Sequence, residues 1–137
     1  MCLTRETTPI LISVDAASNA GTINPVTQTI CYNATPTAIT LTGYTGTIQW
    51  MSTNAVVGNY SDMAGQIAAT LPSSAIDKTA TGYYKAVVTS GVCPSVTINA
   101  TVNVTALSSA GTASITAGAA TICSNTAGPT INLVGSV

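Results

Sequence analysis

The 137-residue chain contains no histidine and no phenylalanine, and only 5% of its residues are charged, against about 25% in an average soluble domain. Its three cations, Arg5, Lys78 and Lys85, leave a net charge of −1. They are too few to neutralise a run of phosphates, so we expect neither nucleic acids nor anionic membrane surfaces as partners. Without histidine, the chain also has no imidazole for acid–base catalysis or for metal binding.

The acidic residues are scattered along the chain: Glu6, Asp15, Asp62 and Asp77. A catalytic carboxylate pair, a calcium loop or a magnesium site needs oxygens that converge from a defined spacing. Neither Lys78 nor Lys85 stands in a pattern that would activate a serine nucleophile. The sequence therefore predicts a protein that is not an enzyme and that has no catalytic residue, no metal site and no cofactor.

Long hydrophobic runs are also missing. The longest apolar stretches, such as 10–12 and 86–88, are far shorter than the roughly 20 residues that span a bilayer. Residues 1–6 lack the apolar core of a signal peptide. We therefore expect no membrane insertion, and we expect any export signal to lie outside this chain.

The chain is instead rich in small polar residues, with 25 threonines and 13 serines. Its hydrophobic content of 46% is enough for one core of ordinary size and not for two. The four cysteines, Cys2, Cys31, Cys93 and Cys123, form no Cys-x-x-Cys pair. This pattern favours structural disulfides over zinc or redox chemistry and indicates an oxidising compartment.

The sequence repeats with a period of about 90 residues. Residues 29–43 and 121–135 share seven of fifteen residues at a constant offset of 92, with Cys31 matching Cys123. A second match begins at Cys2 and Cys93, and from residue 12 to residue 22 its offset is 90. The sequence therefore contains the C-terminal strand of one repeat (1–18), a complete repeat (19–108) and the N-terminal part of a following repeat (109–137).

Alternation of apolar and polar residues predicts strands throughout the complete repeat, at 38–42, 47–51, 68–71, 82–89 and 96–105. No apolar stripe of helical spacing continues over three turns, so the fold class is all-β. Segments 38–42 and 47–51 flank a tight turn and predict a hairpin. Its inward side chains, expected in the core, are Ile39, Leu41, Ile48 and Trp50.

Two features resemble an immunoglobulin-like β-sandwich: Trp50 in a central strand and the run from Asp77 through Tyr84 to Ala86. In that fold a tyrosine two residues before a strand cysteine forms the tyrosine corner. The resemblance implies that Tyr84 is this core tyrosine. Ala86 occupies the position of the cysteine, and Leu41 lies near the position of its partner, so the usual bridge between the sheets is missing.

The same resemblance implies a replacement bond. If Cys31 and Cys93 open two parallel edge strands, their sulfurs lie at the same end of the sandwich and form a disulfide. Closing a loop of about 63 residues in this way contributes roughly 4 kcal/mol on the chain-entropy model. Cys2 and Cys123 would then pair with cysteines of neighbouring repeats.

The segments 41–50, 82–93 and 109–112 resemble the Ig-like repeats of giant Bacteroidota cell-surface proteins, including the SprB-type gliding-motility adhesins. The resemblance covers essentially the whole chain. It implies a long filament of tandem repeats, exported by the type IX secretion system and attached at the outer membrane. The expected function is that of a structural and adhesive module in surface adhesion or gliding motility. Its expected partners are neighbouring repeats of the same polypeptide and extracellular surfaces or polysaccharide.

Two other functions remain open. A carbohydrate-binding sandwich would need aromatic side chains on a solvent-facing surface, and a fimbrial subunit would polymerise by donating a strand to another chain. Four residues are the candidates for glycan or partner contact. Two of them, Tyr83 and Lys85, are predicted to point outward from the strand at 82–89; the others are Tyr44 in the turn after 38–42 and Tyr60 in the connection after 47–51. Outward tyrosines on a sheet also serve in ordinary packing across strands.

Overall fold

The computed structural model of the chain describes residues 8–117, 121, 124–125 and 127–135. Within these ranges the backbone forms ten strands, one short 3-10 helix at Ser73–Ala75 and no α-helix. The strands are β1 (Thr22–Asn24), β2 (Thr27–Cys31), β3 (Ile39–Thr42), β4 (Thr47–Thr53), β5 (Ser61–Asp62), β6 (Thr70–Leu71), β7 (Gly82–Thr89), β8 (Val96–Thr105), β9 (Thr112–Ala117) and β10 (Thr130–Val134). The described part of the chain therefore contains no helix that could cross a membrane.

Strands β1 to β8 form two sheets. One has three strands in the order β1-β3-β6, and the other has five strands in the order β2-β8-β7-β4-β5. The pairings are antiparallel, apart from that of β2 with β8, which is parallel. Inward side chains of both sheets form one hydrophobic core. The predicted all-β sandwich is confirmed.

The core residues come from the alternation of each strand. In β7, buried and half-buried residues alternate along the whole strand, as period-2 geometry requires. Trp50 is fully buried, and Leu41, Ile48 and Tyr84 are at most 5% exposed. The indole N–H of Trp50 donates to the carbonyl of Ala68 at 2.8 Å. Because a buried indole needs a hydrogen-bond acceptor, this bond fixes the loop before β6 against the core.

The predicted hairpin across 43–46 is wrong. Strand β3 pairs with β1 and β6, whereas β4 pairs with β5 and β7 in the other sheet. The turn therefore carries the chain from one sheet to the other. Alternation shows that one face of each strand is buried, but it contains no information about which strand is the hydrogen-bonded neighbour.

The first edge of the sandwich is divided between the two sheets. Strand β1 belongs to the three-stranded sheet and β2 to the five-stranded sheet, and Pro25 lies between them. Proline has no N–H for a ladder hydrogen bond and is found at such breaks. Beyond it, the Val26 carbonyl accepts from the Thr101 N–H at 2.9 Å, which starts the parallel pairing with β8.

The predicted disulfide between Cys31 and Cys93 is not formed, and both thiols are free. The edge strands are parallel, but Cys31 is the last residue of β2 and lies opposite Thr105, the last residue of β8. Cys93 precedes β8 at its other end. At about 3.3 Å per residue, β8 separates the two ends by roughly 30 Å, whereas a disulfide requires Cα atoms within about 7 Å. The prediction failed because Cys31 ends its strand instead of opening it. Cys2 and Cys123 lie outside the described residues.

Tyr84 forms the corner that the sequence predicts. Its hydroxyl accepts a hydrogen bond from the Asp77 N–H at 2.9 Å. Burial raises the pKa of Tyr84 above its ordinary value. Asp77 in turn accepts from the backbone N–H and the hydroxyl of Thr79, at 2.8 Å and 2.7 Å. These bonds, led by the one from the Thr79 backbone, lower the pKa of the Asp77 carboxyl.

Strands β9 and β10 form a separate two-stranded sheet whose register matches that of β1 and β3. Thr22 lies opposite Thr42 and Ile23 opposite Leu41 in the first pair. The corresponding pairs, found 90 and 92 residues further along the chain, are Thr112 with Val134 and Ala113 with Leu133. The glycines beside these strands match as well: φ is 67° at both Gly21 and Gly111.

Candidate functional site

The five-stranded sheet has one face toward the core and one face toward solvent, which we call the outer face. On β7 it carries the odd-numbered residues Tyr83, Lys85, Val87 and Thr89, and on β4 it carries Thr47, Gln49, Met51 and Thr53. Lys85 lies between Met51 and Asn99 in the ladder, and Tyr83 lies between Thr53 and Thr101. The outer face therefore mixes aromatic, aliphatic, amide and hydroxyl groups.

Lys85 and Tyr60 are in direct contact on this face. The Lys85 ammonium lies 3.8 Å from the centroid of the Tyr60 ring, and both side chains are half-buried. A cation over an aromatic ring at a site of this exposure contributes about 0.5–1 kcal/mol. The pairing of β4 with both β5 and β7 brings these two residues together, although they are 25 positions apart in the sequence.

The other two predicted contact residues lie on either side of this pair. Tyr83 is on β7, two residues before Lys85, and is half-buried on the outer face. Tyr44 lies in the turn between β3 and β4 and is 36% exposed. The structure thus places Tyr60, Tyr83 and Lys85 close together, whereas Tyr44 is at the opposite end of β7.

Tyr44 forms one wall of a shallow trough at that end, with a volume of about 540 Å³. Its apolar lining includes Tyr44, Ile67 and Val87. Its hydroxyl and amide groups come from Thr47, Gln49 and Thr89. Ile67 is 65% exposed, in the loop that the Trp50 indole bond holds against the core. None of the lining residues is an acid, a lysine or an arginine.

Gln49 is the most defined polar group of the trough. Its amide nitrogen donates to the carbonyls of Trp50 and Met63, at 2.7 Å and 3.1 Å. An amide group has two N–H donors, and both are used, so the carbonyl oxygen is the part of the side chain with remaining capacity. The trough therefore offers an oriented acceptor beside hydroxyl groups and an aliphatic surface.

This chemistry suits a neutral ligand that has both hydroxyl groups and apolar faces. The volume lies within the 300–1,000 Å³ that is usual for small-molecule sites. In the described part of the chain, no three residues of the His, Cys, Asp and Glu types come together in a way that could hold a metal ion. Sequence reasoning missed Gln49 and Ile67, because their roles depend on the pairing of β4 and on the loop after β5.

The sandwich also has two distinct ends, which we name by the course of the chain. At the leading end, residues 15–19 pack against the turns that follow β3 and β7. The Ser18 hydroxyl accepts from the Ser90 N–H at 2.9 Å, and Asn19 and Thr45 exchange two backbone hydrogen bonds. Asp15 contacts the turn after β7 twice: its carboxylate accepts from the Val92 N–H and its carbonyl accepts from Cys93 Sγ at 3.8 Å.

The trailing end is formed by the last residues of β2 and β8. The Thr105 carbonyl accepts from the Tyr32 N–H at 2.9 Å, and the Thr105 hydroxyl donates to the Ile30 carbonyl at 3.1 Å. The next turn is closed by the Ala34 N–H, which donates to the Cys31 carbonyl. Cys31 therefore lies at the trailing end and Cys93 at the leading end.

Comparison with known proteins gives one family. Residues 19–108 match the family model described as "Domain of unknown function (DUF8696)". No curated protein and no solved structure matches the chain. The matched range is the one that the repeat pattern defines as the complete repeat, and it contains both sheets of the sandwich. Because the match covers more than half of the chain, the protein belongs to the DUF8696 family.

Proposed function

We propose that the chain is part of a tandem array of immunoglobulin-like modules that forms a bacterial cell-surface filament. The observation that carries this proposal is the match between the β1–β3 ladder and the β9–β10 ladder. Similar composition alone would give similar strands but not the same partners at offsets of 90 and 92 residues. A structural unit that repeats with its register is typical of a modular array.

The burial of equivalent residues supports the same proposal. Leu41 is 1% exposed within the complete module, whereas its equivalent Leu133 is 59% exposed. Val102 is fully buried in β8, and its equivalent Ile12 is 83% exposed. In an array, the remaining strands of the adjacent modules would cover Ile12 and Leu133. The exposed apolar residues near both ends of the chain thus have a common physical explanation.

The composition suits a filament outside the cell. Threonine and serine hydroxyls hydrate the surface with few charges, and sandwiches joined through ordered contacts such as those of Ser18 and Asn19 resist proteolysis. The resemblance to Bacteroidota surface adhesins adds adhesion, gliding motility and type IX secretion to the proposal. Antibody labelling of intact, unpermeabilised cells that produce the protein tests the location.

The array is tested by completing the third module. We would compare the 137-residue chain with a two-repeat protein in which residues 1–108 are followed by residues 19–137. Hydrogen exchange at Leu41 of the second copy is the readout, since this position corresponds to Leu133. We expect its amide to exchange at least tenfold more slowly than that of Leu133 in the 137-residue chain. Equal exchange rates would contradict the proposal, because they would mean that no second sandwich forms.

A second function, binding of a neutral saccharide, is favoured by the trough beside Tyr44. The ring of Tyr44 and the aliphatic groups of Ile67 and Val87 would contact the apolar face of a sugar, and Gln49 and the threonines would bond to its hydroxyl groups. Titration of the chain with neutral and acidic oligosaccharides, followed by NMR shifts of the Gln49 and Val87 amides, tests this function. We expect Tyr44→Ala to abolish the shifts. The matched control is Tyr32→Ala, since Tyr32 is 40% exposed at the trailing end; loss of binding in both variants, or in neither, would contradict the assignment.

A further inference from the structure

The free cysteines at the two ends of the module occupy matching positions on the two sides of a junction. This inference rests on the proposed tandem array. Residues 12–22 and 102–112 correspond at an offset of 90 without a gap, so Asp15 and Thr105 are the same position in successive repeats. Asp15 shows how this position contacts the module that follows it. Thr105 shows how the same position is held within the module to which it belongs.

A cysteine lies beside this position both at Thr105 and at Asp15. At Thr105, Cys31 is the neighbour across the parallel ladder, and the next residue, Tyr32, donates its N–H to the Thr105 carbonyl at 2.9 Å. At Asp15, the same backbone carbonyl accepts from Cys93 Sγ at 3.8 Å. A single carbonyl oxygen has two lone pairs and can accept both bonds.

The contacts of Thr105 and Asp15 together give an upper limit for the distance between the Tyr32 nitrogen and the Cys93 sulfur across the junction. If one carbonyl accepts both contacts, the Tyr32 nitrogen of one module lies within about 7 Å of the Cys93 sulfur of the next, and Cys31 is the residue bonded to that nitrogen. Among the described residues, Cys93 has no nearer thiol within its own module, because Cys31 and Cys93 of one module are separated by the length of β8. We infer that Cys31 of each module forms a disulfide with Cys93 of the following module.

The reaction needs an oxidant, for which glutathione disulfide serves. The exposed Cys31 thiolate attacks glutathione disulfide and releases one reduced glutathione, which takes up a proton. The Cys93 thiolate of the next module then attacks the Cys31 sulfur of this mixed disulfide and displaces the second glutathione. The two protein thiols lose two electrons and two protons in total, and one glutathione disulfide becomes two glutathione molecules.

Such bonds would limit how far the array extends under tension. Each disulfide links two modules and bypasses the chain between its two cysteines. Under tension, only the segment from Cys93 to the cysteine at position 123, about 30 residues, would remain free to extend between one disulfide and the next. Fully extended, this segment reaches about 100 Å, whereas two unfolded modules without the bonds reach about 600 Å. Forced unfolding would therefore lengthen an oxidised filament several-fold less than a reduced one.

The test uses the two-repeat protein described above, in variants that retain only two cysteines and carry serine at the other positions. The junction variant keeps Cys31 of the first copy and Cys93 of the second. One control keeps Cys31 and Cys93 of the first copy, and the other keeps Cys93 of the first copy and Cys31 of the second. Each is incubated with glutathione disulfide and analysed as the intact monomer by mass spectrometry.

We expect the junction variant alone to lose about 2 Da and to retain no thiol that reacts with iodoacetamide. If both modules fold but the junction variant keeps both thiols, the inferred disulfide is refuted, whereas the proposed array is not. Fast amide exchange throughout the second copy would refute both the disulfide and the array, because no second folded module would then exist to supply its Cys93. Oxidation of the controls to the same extent would show that the thiols react without the predicted geometry, which also overturns the inference.

Discussion

Replacing Tyr84 by phenylalanine tests the corner that holds β7 to the segment before it. The variant keeps the ring, which is 2% exposed, and removes only the hydroxyl that accepts from the Asp77 N–H at 2.9 Å. An unpaired donor in a buried site costs about 1–3 kcal/mol. Because water reaches the partly exposed turn around Asp77, we expect Tyr84→Phe to lower the free energy of unfolding by about 1–2 kcal/mol.

Urea denaturation followed by fluorescence is the assay, since Trp50 is the one tryptophan of the chain and is fully buried. The matched control is Tyr83→Phe, which removes the same atom from a neighbour on the outer face. We expect this control to change stability by less than about 0.5 kcal/mol. Equal losses in the two variants would refute the reasoning, because they would show that the buried hydrogen bond contributes nothing specific.

The effect of Tyr84→Phe on stability should also depend on pH. The pKa of Tyr84 is raised in the fold, so the folded protein holds this proton at a pH where the unfolded chain has lost it. The stabilisation is therefore complete below about pH 10 and declines as the pH rises through the raised pKa. We expect the difference in stability between the native protein and Tyr84→Phe to shrink above pH 10. A difference that stays constant up to pH 11.5 would contradict this account.

Three further predictions concern the turn, the backbone and the core. The pKa of Asp77 is lowered chiefly by the Thr79 backbone N–H, so its stabilisation is present above about pH 4 and lost below it, and Asp77→Asn should be less sensitive to acid in urea titrations between pH 5 and pH 2. Gly21→Ala would place a Cβ against the Thr42 carbonyl, whereas Gly43 has a similar φ and open space; we expect about 1 kcal/mol of destabilisation for Gly43→Ala and clearly more for Gly21→Ala, and equal thermal shifts would speak against the packing argument. Leu41→Ala should cost about 2–5 kcal/mol and Leu133→Ala less than about 0.5 kcal/mol in the 137-residue chain, as measured by urea denaturation.

The proposed junction gives the free cysteines and residues 15–19 a common role. Ser18 and Asn19 position the start of each module on the turns of its leading end, and the inferred disulfide would fix the same contact covalently. If the array forms as proposed, tension would pass from β8 of one module to the next through these ordered residues. The trough beside Tyr44 lies next to this leading end, since the neighbouring residue Thr45 exchanges backbone hydrogen bonds with Asn19.

The sequence by itself was sufficient to determine the fold class and several of the core residues. Period-2 alternation predicted the segments 82–89 and 96–105, which are β7 and β8, because a strand buried on one face must alternate. The same alternation assigned Ile48 and Trp50 to the interior, where both are at most 5% exposed. Scarce charge and the lack of histidine restricted the chemistry of any site before a structure was considered.

Only the tertiary structure decided which strands are neighbours and where the cysteines lie. Alternation does not reveal a strand's partner, so the hairpin at 43–46 was a wrong expectation, and the strand that ends at Cys31 was expected to begin there. Pairing between distant strands also created the Lys85–Tyr60 contact and the trough around Gln49. Local patterns record burial, which is a property of each segment, whereas pairing and the ends of the sandwich depend on contacts between segments that are far apart in the chain.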